Sequence, residues 1–225
     1  MMEPEPNRWN RQQKKLRALL ADPASHLEAV DLFLKQHAAV HSAEMSSIDV
    51  ISFEDEITFD LDDVHLREIP AQMEHSIAWI LWHLARIEDV TMNILVAGGD
   101  QVIISDDWVK RLHCSVLHTG NSMAKKDVFA LSASVNVGAL KKYRLAVGQQ
   151  TEKLVKSLKP GDFGQKVSSA RLERLIPEGA VAEESRGLID YWSKRDITGL
   201  LLMPPTRHCI VHLNEATKIK KRIMV

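Results

Sequence analysis

Two histidines near the carboxyl end of the chain, His208 and His212, have the spacing of metal ligands on a helix. Residues four apart lie one helical turn above each other on the same face, so both imidazoles can bind one ion. Counting at about 100° per residue places Leu201, Glu215 and Ile219 on that same face. Because leucine and isoleucine flank the histidines, the face points inward. The pattern therefore predicts a pair of metal ligands held in an apolar interior.

A third inward histidine on another helix would complete a three-histidine site with an open position for water or substrate. His83 is the best candidate, because it belongs to an apolar helical face between two tryptophan-bearing turns. Its competitors are His37, His41 and His75. His37 and His41 form a second pair four residues apart. For that pair, helix packing and hydrogen bonding near the mouth of the pocket is the alternative to binding the metal.

Four further side chains are candidates for roles beside the metal. Glu215 could hydrogen-bond a ligand imidazole or act as a base, and we take His41 as the second candidate catalytic residue. Arg86 and Arg144 could bind a carboxylate or the anion of a thiol cofactor. Each of these residues also has a structural alternative, since charged side chains commonly pair with neighbouring acids or bases. Cys209 is expected to be a buried thiol rather than a ligand.

Length and composition favour one domain and small-molecule partners. With 225 residues, 45% of them hydrophobic, the chain can bury one sizeable core, so we predict a single domain over residues 1–225 with residues 1–10 as a loose tail. A net charge of -1 gives no long-range attraction for nucleic acid or anionic membranes, and we expect neither as a partner. The two cysteines and the absence of an apolar leader or spanning run favour a cytoplasmic location.

Helical periodicity dominates the sequence and predicts an all-α fold. A short helix is expected over 8–21, and Ser25 with Glu28 has the pattern of a capping box for the first long helix. Residues 46–70 could form strands or short helices, and we favour helices because nothing else in the chain resembles a sheet. The other long helices are expected over 73–96, over 137–158 with Asn136 as cap, and from Asp196 or Thr198 onward.

The connections between these helices are long, and two of them, 98–123 and 161–185, could cover a site. Within the last helix, Pro204 and Pro205 remove hydrogen bonds, so we expect a bend or a fresh start about one turn before His208. Four long amphipathic helices with such connections are typical of a four-helix bundle, in which metal sites form from side chains on facing helices.

The motif Trp82-His83-Leu-Ala-Arg86-Ile-Glu88-Asp89, together with Arg207-His208-Cys-Ile-Val-His212-Leu-Asn-Glu215, resembles the DinB/YfiT-like metalloprotein superfamily. The resemblance extends from His37 to Lys220. It implies a four-helix bundle in an up-down-down-up arrangement that binds a divalent metal through three histidines, which match His83, His208 and His212. Characterised members carry out transfers with low-molecular-weight thiols and a mycothiol-dependent isomerisation.

We therefore predict a metal-dependent enzyme that activates a small thiol or water for transfer or hydrolysis of a small-molecule substrate. Zinc is the first expectation for the metal, with nickel or iron as alternatives, since three imidazoles suit all of them. A low-molecular-weight thiol cofactor and a homodimer are further expectations. The competing hypothesis is a metal-stabilised binding or stress-response module without turnover. Filling of the open coordination position by protein, for example by His41 or Cys114, would favour that second hypothesis.

Overall fold

The computed structural model describes residues 6–224, which form α-helices, short 3₁₀ turns and two π-helical segments. This part of the chain contains no β-strand, and a single antiparallel bridge joins Lys166 to Asp196. The predicted all-α fold is thereby confirmed. No helix within 6–224 combines the length and the apolar composition needed to cross a membrane.

The helices have the following bounds. The α-helices are α1 (Pro6–Leu20), α2 (His26–Ala39), α3 (Phe53–Thr58), α4 (Asp63–Arg67), α5 (Ile77–Asp89), α6 (Trp108–Arg111), α7 (Lys125–Ser134), α8 (Val137–Ser157), α9 (Ser169–Glu173), α10 (Arg186–Ser193), α11 (Ile197–Leu201) and α12 (Cys209–Ile223). The π-helical segments are Val90–Ala97, which continues α5, and Met203–His208, which joins α11 to α12. The 3₁₀ turns are Pro23–Ser25, Ala43–Met45, Val102–Ile104, Asp162–Gly164 and Glu183–Ser185.

Helix α5 is the centre of the bundle. Every residue from Ile77 to Asp89 is buried, and α5 packs against both α8 and α12, while α2 packs against α8. One apolar cluster surrounds the first part of α5, and a second surrounds its end and the π-helical segment that follows. Since α5 passes through both clusters, its polar side chains have to find their partners inside the protein.

Side-chain caps fix most helix ends where the sequence predicts them. Asn136 accepts the backbone N–H of Ala139 at 2.9 Å at the start of α8. Ser52 accepts the N–H of Asp55 at 3.0 Å, which confirms short helices rather than strands after residue 46. The predicted capping box at Ser25 is wrong, because the Ser25 hydroxyl instead donates to Asp22 at 2.8 Å.

The amino end of the chain is more ordered than the predicted loose tail. Helix α1 begins at Pro6, a favourable residue in a first helical turn, so residues 6–10 are helical. The physical reason is burial, because Trp9 and Leu16 are 7% and 0% exposed. The remainder of the predicted tail, residues 1–5, lies outside the described residues.

The last helix is interrupted before His208, as Pro204 and Pro205 predict. Proline has no N–H, so the carbonyl of Leu201 loses its usual backbone partner. The hydroxyl of Thr206 donates to that carbonyl at 3.0 Å, and the chain continues through the π-helical segment into α12. The two prolines thus set the position at which His208 enters the bundle.

A buried polar network ties the connection 98–123 to α5 and α8. The Arg86 guanidinium donates to the Leu117 carbonyl at 2.9 Å and to Asp89 and the Tyr143 hydroxyl at 2.8 Å each. Burial disfavours the charge of Arg86, but Tyr143 and Asp89 outweigh it and raise the pKa of the guanidinium. The Arg86 guanidinium is therefore charged inside the protein, and it forms a buried ion pair with Asp89 in which each partner needs the other.

Replacing Arg86 with methionine should unfold the protein more easily. Arg86→Met leaves the buried Asp89 carboxylate without its cation, a change that typically costs about 3 to 5 kcal/mol of unfolding free energy. Urea denaturation followed by circular dichroism measures the loss. The control is Arg186→Met, whose exposed ion pair with Glu183 should contribute nothing measurable. Equal denaturation midpoints for the two variants would contradict the structural role of the Arg86 network.

Candidate metal centre

Three histidines from two parts of the chain converge, His83 from α5 and the pair His208 and His212 from the start of the last helix. Their ligating nitrogens lie within 4.8 Å of one another, and the Nε2 atoms of His83 and His208 are 3.3 Å apart. Two ligands of a tetrahedral zinc ion, each 2.0–2.1 Å from it, are about 3.3 to 3.4 Å apart. The same separation suits a hydrogen bond between the rings. Together with His212, the cluster has the donor set and the spacing that a divalent ion needs.

A backbone carbonyl fixes the orientation of His83. The Nδ1 atom of His83 lies 2.5 Å from the carbonyl oxygen of Thr119, which can only accept, so Nδ1 carries the ring proton. The lone pair of Nε2 then faces the other two histidines. Burial and the nearby His212 ring lower the pKa of His83 to about 3, so the imidazole is neutral at physiological pH, as a metal ligand must be.

Glu215 orients His212. Its Oε2 atom accepts the Nδ1–H of His212 at 3.1 Å, and its Oε1 atom accepts the Nδ1–H of His75 at 2.8 Å. Although burial raises the pKa of Glu215, these hydrogen bonds outweigh it and lower the pKa to about 2. Of the two roles expected for Glu215, the arrangement favours hydrogen bonding to a ligand over proton abstraction, because both oxygens are occupied.

His75 takes part in the site in a way that the sequence analysis missed. We weighed it only as a competing ligand on a helical wheel, but α5 begins at Ile77, so His75 precedes the helix. Its ring stacks on Trp79 at 3.9 Å, and Trp79 stacks on His83 at 4.9 Å. The four-residue spacing of His75, Trp79 and His83 was the available signal for this stack.

The cluster can be approached from one side. His83 is buried, whereas His208 and His212 are partly exposed. Burial and the two neighbouring imidazoles hold the pKa of His208 well below its usual value, which keeps this ring neutral as well. The cluster is therefore partly exposed to solvent on the side of the histidine pair.

Both long connections meet behind His83. Gly120 has a φ of +85°, and a Cβ at this position would lie 2.6 Å from the Trp82 ring, so only glycine allows the close approach. The N–H of Thr119 donates to the Ala180 carbonyl at 3.1 Å, which joins connection 98–123 to connection 161–185. The two joined connections contact His83 through the Thr119 carbonyl, which binds Nδ1, the nitrogen that does not face the other histidines.

The two arginines proposed as anion-binding residues are each already paired with an acidic side chain of the protein. Arg86 is bound in the network with Asp89 described above, and Arg144 pairs with Glu54 at 2.5 Å. Both guanidinium groups are buried, and the second also donates to the Val40 carbonyl at 2.7 Å. The structural alternative, pairing with acids, therefore accounts for both arginines.

His41, the other candidate catalytic residue, lies in a different cluster. Its Nε2 atom is 2.9 Å from Oε2 of Glu88, and the Nε2 atom of His37 is 2.7 Å from Oε1 of the same carboxylate. All three side chains are buried. The structure thus brings His83, His208 and His212 together and places His37 and His41 apart from them.

The fold and the site together define an α-helical bundle with an inward cluster of three histidines. A family model described as the DinB superfamily matches residues 56–183, more than half of the chain, and the protein therefore belongs to the DinB superfamily. The matched residues include His83 and Glu88 but end before His208 and His212. A comparison with curated proteins finds no match.

Removing the negative charge of Glu215 should weaken metal binding. In Glu215→Gln, one of the two acceptor oxygens becomes an N–H donor, so His75 and His212 can no longer both be satisfied. Loss of such an orienting partner typically lowers metal affinity about 10- to 100-fold. Competition with a chromophoric chelator, on protein without a polyhistidine tag, measures the change. Glu173→Gln on the exposed face of α9 is the control. Unchanged zinc affinity in Glu215→Gln would show that the carboxylate does not support a ligand.

Proposed function

We propose that His83, His208 and His212 hold a divalent metal ion and that the protein is an enzyme acting through it on a small thiol or water, for transfer or hydrolysis. The observation that supports this most is the convergence of three imidazoles, two of them oriented by hydrogen bonds and two of them partly exposed to solvent. Such an ion would lower the pKa of a coordinated water or thiol, so that the nucleophilic anion forms near neutral pH.

The donor set fits the proposed ion. Three imidazole nitrogens suit zinc, nickel and iron, and the 3.3 Å separation of two Nε2 atoms favours a tetrahedral ion, for which zinc is the first choice. Within residues 6–224, no further histidine, cysteine or acid joins this cluster. In particular, His41 is bound to Glu88, and Cys114 is buried beside the Val116 carbonyl. Three protein ligands would leave a coordination position for a substrate, which is the arrangement of a catalytic rather than a structural site.

The residues around the cluster would keep its geometry rather than take part in bond making. The Thr119 carbonyl holds the proton of His83 on Nδ1, and Glu215 holds the proton of His212 on Nδ1. Each contact directs the lone pair of Nε2 toward the shared point and makes the imidazole a better donor. Trp79 covers the face of His83 and limits access of water from that side.

A second candidate function is a metal-stabilised binding module without turnover. One observation favours it, because the acid nearest to the cluster, Glu215, has both oxygens occupied and a low pKa. Glu215 is therefore not available as a general base. A thiol co-substrate reduces this difficulty, since a coordinated thiol ionises readily without a base of high pKa.

The single-domain organisation, the cytoplasmic location, the small-molecule partners and the homodimer stay predictions.

Replacing His208 with alanine should separate catalysis from stability. His208→Ala removes one of three ligands, so transfer of a small thiol to an electrophile should be abolished. The fold should survive with a modest fall in melting temperature, because two large apolar clusters provide the core. Thiol-transfer assays and thermal melting, each with and without added metal, measure the two effects.

The matched control is His113→Asn, which changes an exposed histidine outside both clusters and should alter neither quantity. A His208→Ala variant that retains full transfer activity would overturn the enzymatic proposal. A variant that is unfolded at room temperature would instead support the structural module, since binding energy at a structural metal site is folding energy.

A further inference from the structure

The second histidine cluster lies at the interface of α2 and α5. His37 lies on α2 and His41 two residues after the end of that helix, and Glu88 faces them from α5, with the three ligand atoms within 4.8 Å of one another. The side chains of His37, His41 and Glu88 are 0%, 1% and 0% exposed. We propose that these residues form a second divalent-metal site, separate from the three-histidine centre and structural in kind.

The ligand set and the distances suit a transition-metal ion such as zinc. Two imidazoles and one carboxylate are a common zinc donor set. The Nε2 atoms of His37 and His41 lie 2.7 and 2.9 Å from the two oxygens of Glu88. Ligands of one ion at 2.0–2.2 Å are about 3 to 3.5 Å apart. Shifts of a few tenths of an ångström, with the proton of each neutral ring on Nδ1 instead of Nε2, would therefore convert hydrogen bonding into coordination.

The charges around the cluster favour a bound cation. Burial raises the pKa of Glu88, but the rings of His41 and His37 outweigh it and hold the pKa well below its usual value, so the carboxylate is ionised. Burial lowers the pKa of His41 to about 3, which makes this ring neutral. The nearby guanidinium of Arg144 is paired with Glu54. The hydrogen bonds to the two rings stabilise the buried carboxylate of Glu88, and a metal ion held by the three side chains would place a positive charge beside it.

The contacts with Glu88 engage only one nitrogen of each histidine. The Nδ1 atoms of His37 and His41 are buried and have no partner within residues 6–224. The backbone also makes room for the second ring, since a Cβ at Gly148 on α8 would lie 3.0 Å from Cε1 and Nδ1 of His41. The backbone of α8 therefore packs closely against the ring of His41.

Complete burial indicates a structural rather than a catalytic role. No ligand atom of this cluster is accessible to a substrate, in contrast to the partly exposed His208 and His212. An ion here would join α2, which precedes the matched residues 56–183, to α5 inside them. The proposal does not depend on the proposed enzymatic function, because it uses none of the three histidines of the other cluster.

Metal stoichiometry tests the proposal. Full-length protein without a polyhistidine tag is stripped with a chelator and titrated with zinc in competition with a chromophoric chelator. We expect two tight sites per chain in the wild type, one in His41→Gln, one in Glu88→Gln and one in His208→Gln. The control, His26→Gln, changes a histidine of α2 that stacks on Phe163 and should keep two sites.

The outcomes distinguish the two clusters. A wild type with one site that His208→Gln abolishes would overturn this proposal, and so would two sites retained in both His41→Gln and Glu88→Gln. A single site that His41→Gln abolishes and His208→Gln keeps would support it and would overturn the metal centre proposed above.

A measurement on the wild-type protein tests the proposal even if the variants fail to fold. Anomalous diffraction at the zinc edge from wild-type crystals grown with zinc should give a peak between His37, His41 and Glu88. Absence of that peak, when the three-histidine centre is occupied, would overturn the proposal and leave a hydrogen-bonded cluster of His37, His41 and Glu88.

Discussion

The structure depends on the complete burial of a helix that is not completely apolar. From Ile77 to Asp89 no residue of α5 reaches solvent, yet this stretch contains a histidine, an arginine, a glutamate and an aspartate. Each buried polar group is costly unless another part of the protein satisfies it. The surrounding elements supply those partners, and the same hydrogen bonds hold these elements against α5. The connection 98–123, α2 and α8 are all held by polar side chains of α5.

The histidine of α5 illustrates how this constraint prepares a site. Thr119 lies on an irregular connection, and its carbonyl satisfies Nδ1 of His83, which leaves the other nitrogen for a ligand. Gly120 allows this connection to lie directly against Trp82. The contact that satisfies a buried polar group is therefore also the contact that orients a metal ligand.

Local patterns in the sequence were sufficient to predict much of the architecture. The apolar spacing of α8 and the cap at Asn136 depend on neighbouring residues only, and both are found in the structure. The pairing of His208 with His212 follows from helix geometry in the same way. Assigning His83 to them needed more, namely the expectation that an inward histidine on a facing helix would meet the pair. The structure brings the three rings together.

The features that could not be predicted are contacts between residues that are far apart in the sequence. No partner was assigned to Glu88 from the sequence, whereas it accepts from His37, 51 residues earlier. Glu215 meets His75 across 140 residues. Nothing in the local pattern distinguishes these carboxylates from solvated ones. The early start of α1 was missed for a related reason, because burial of Trp9 depends on the helix beside it.

The π-helical segment Met203–His208 affects how this protein should be aligned with its relatives. Hydrogen bonds in a π-helix span one residue more than those in an α-helix, so each such turn contains about one additional residue. A relative with an uninterrupted α-helix would reach its histidine pair one residue sooner after the position of Leu201. The four-residue spacing of the pair lies beyond the segment and is unaffected. An alignment without gaps across these residues would therefore pair each histidine with the wrong position, and a one-residue gap between Leu201 and His208 would restore the match.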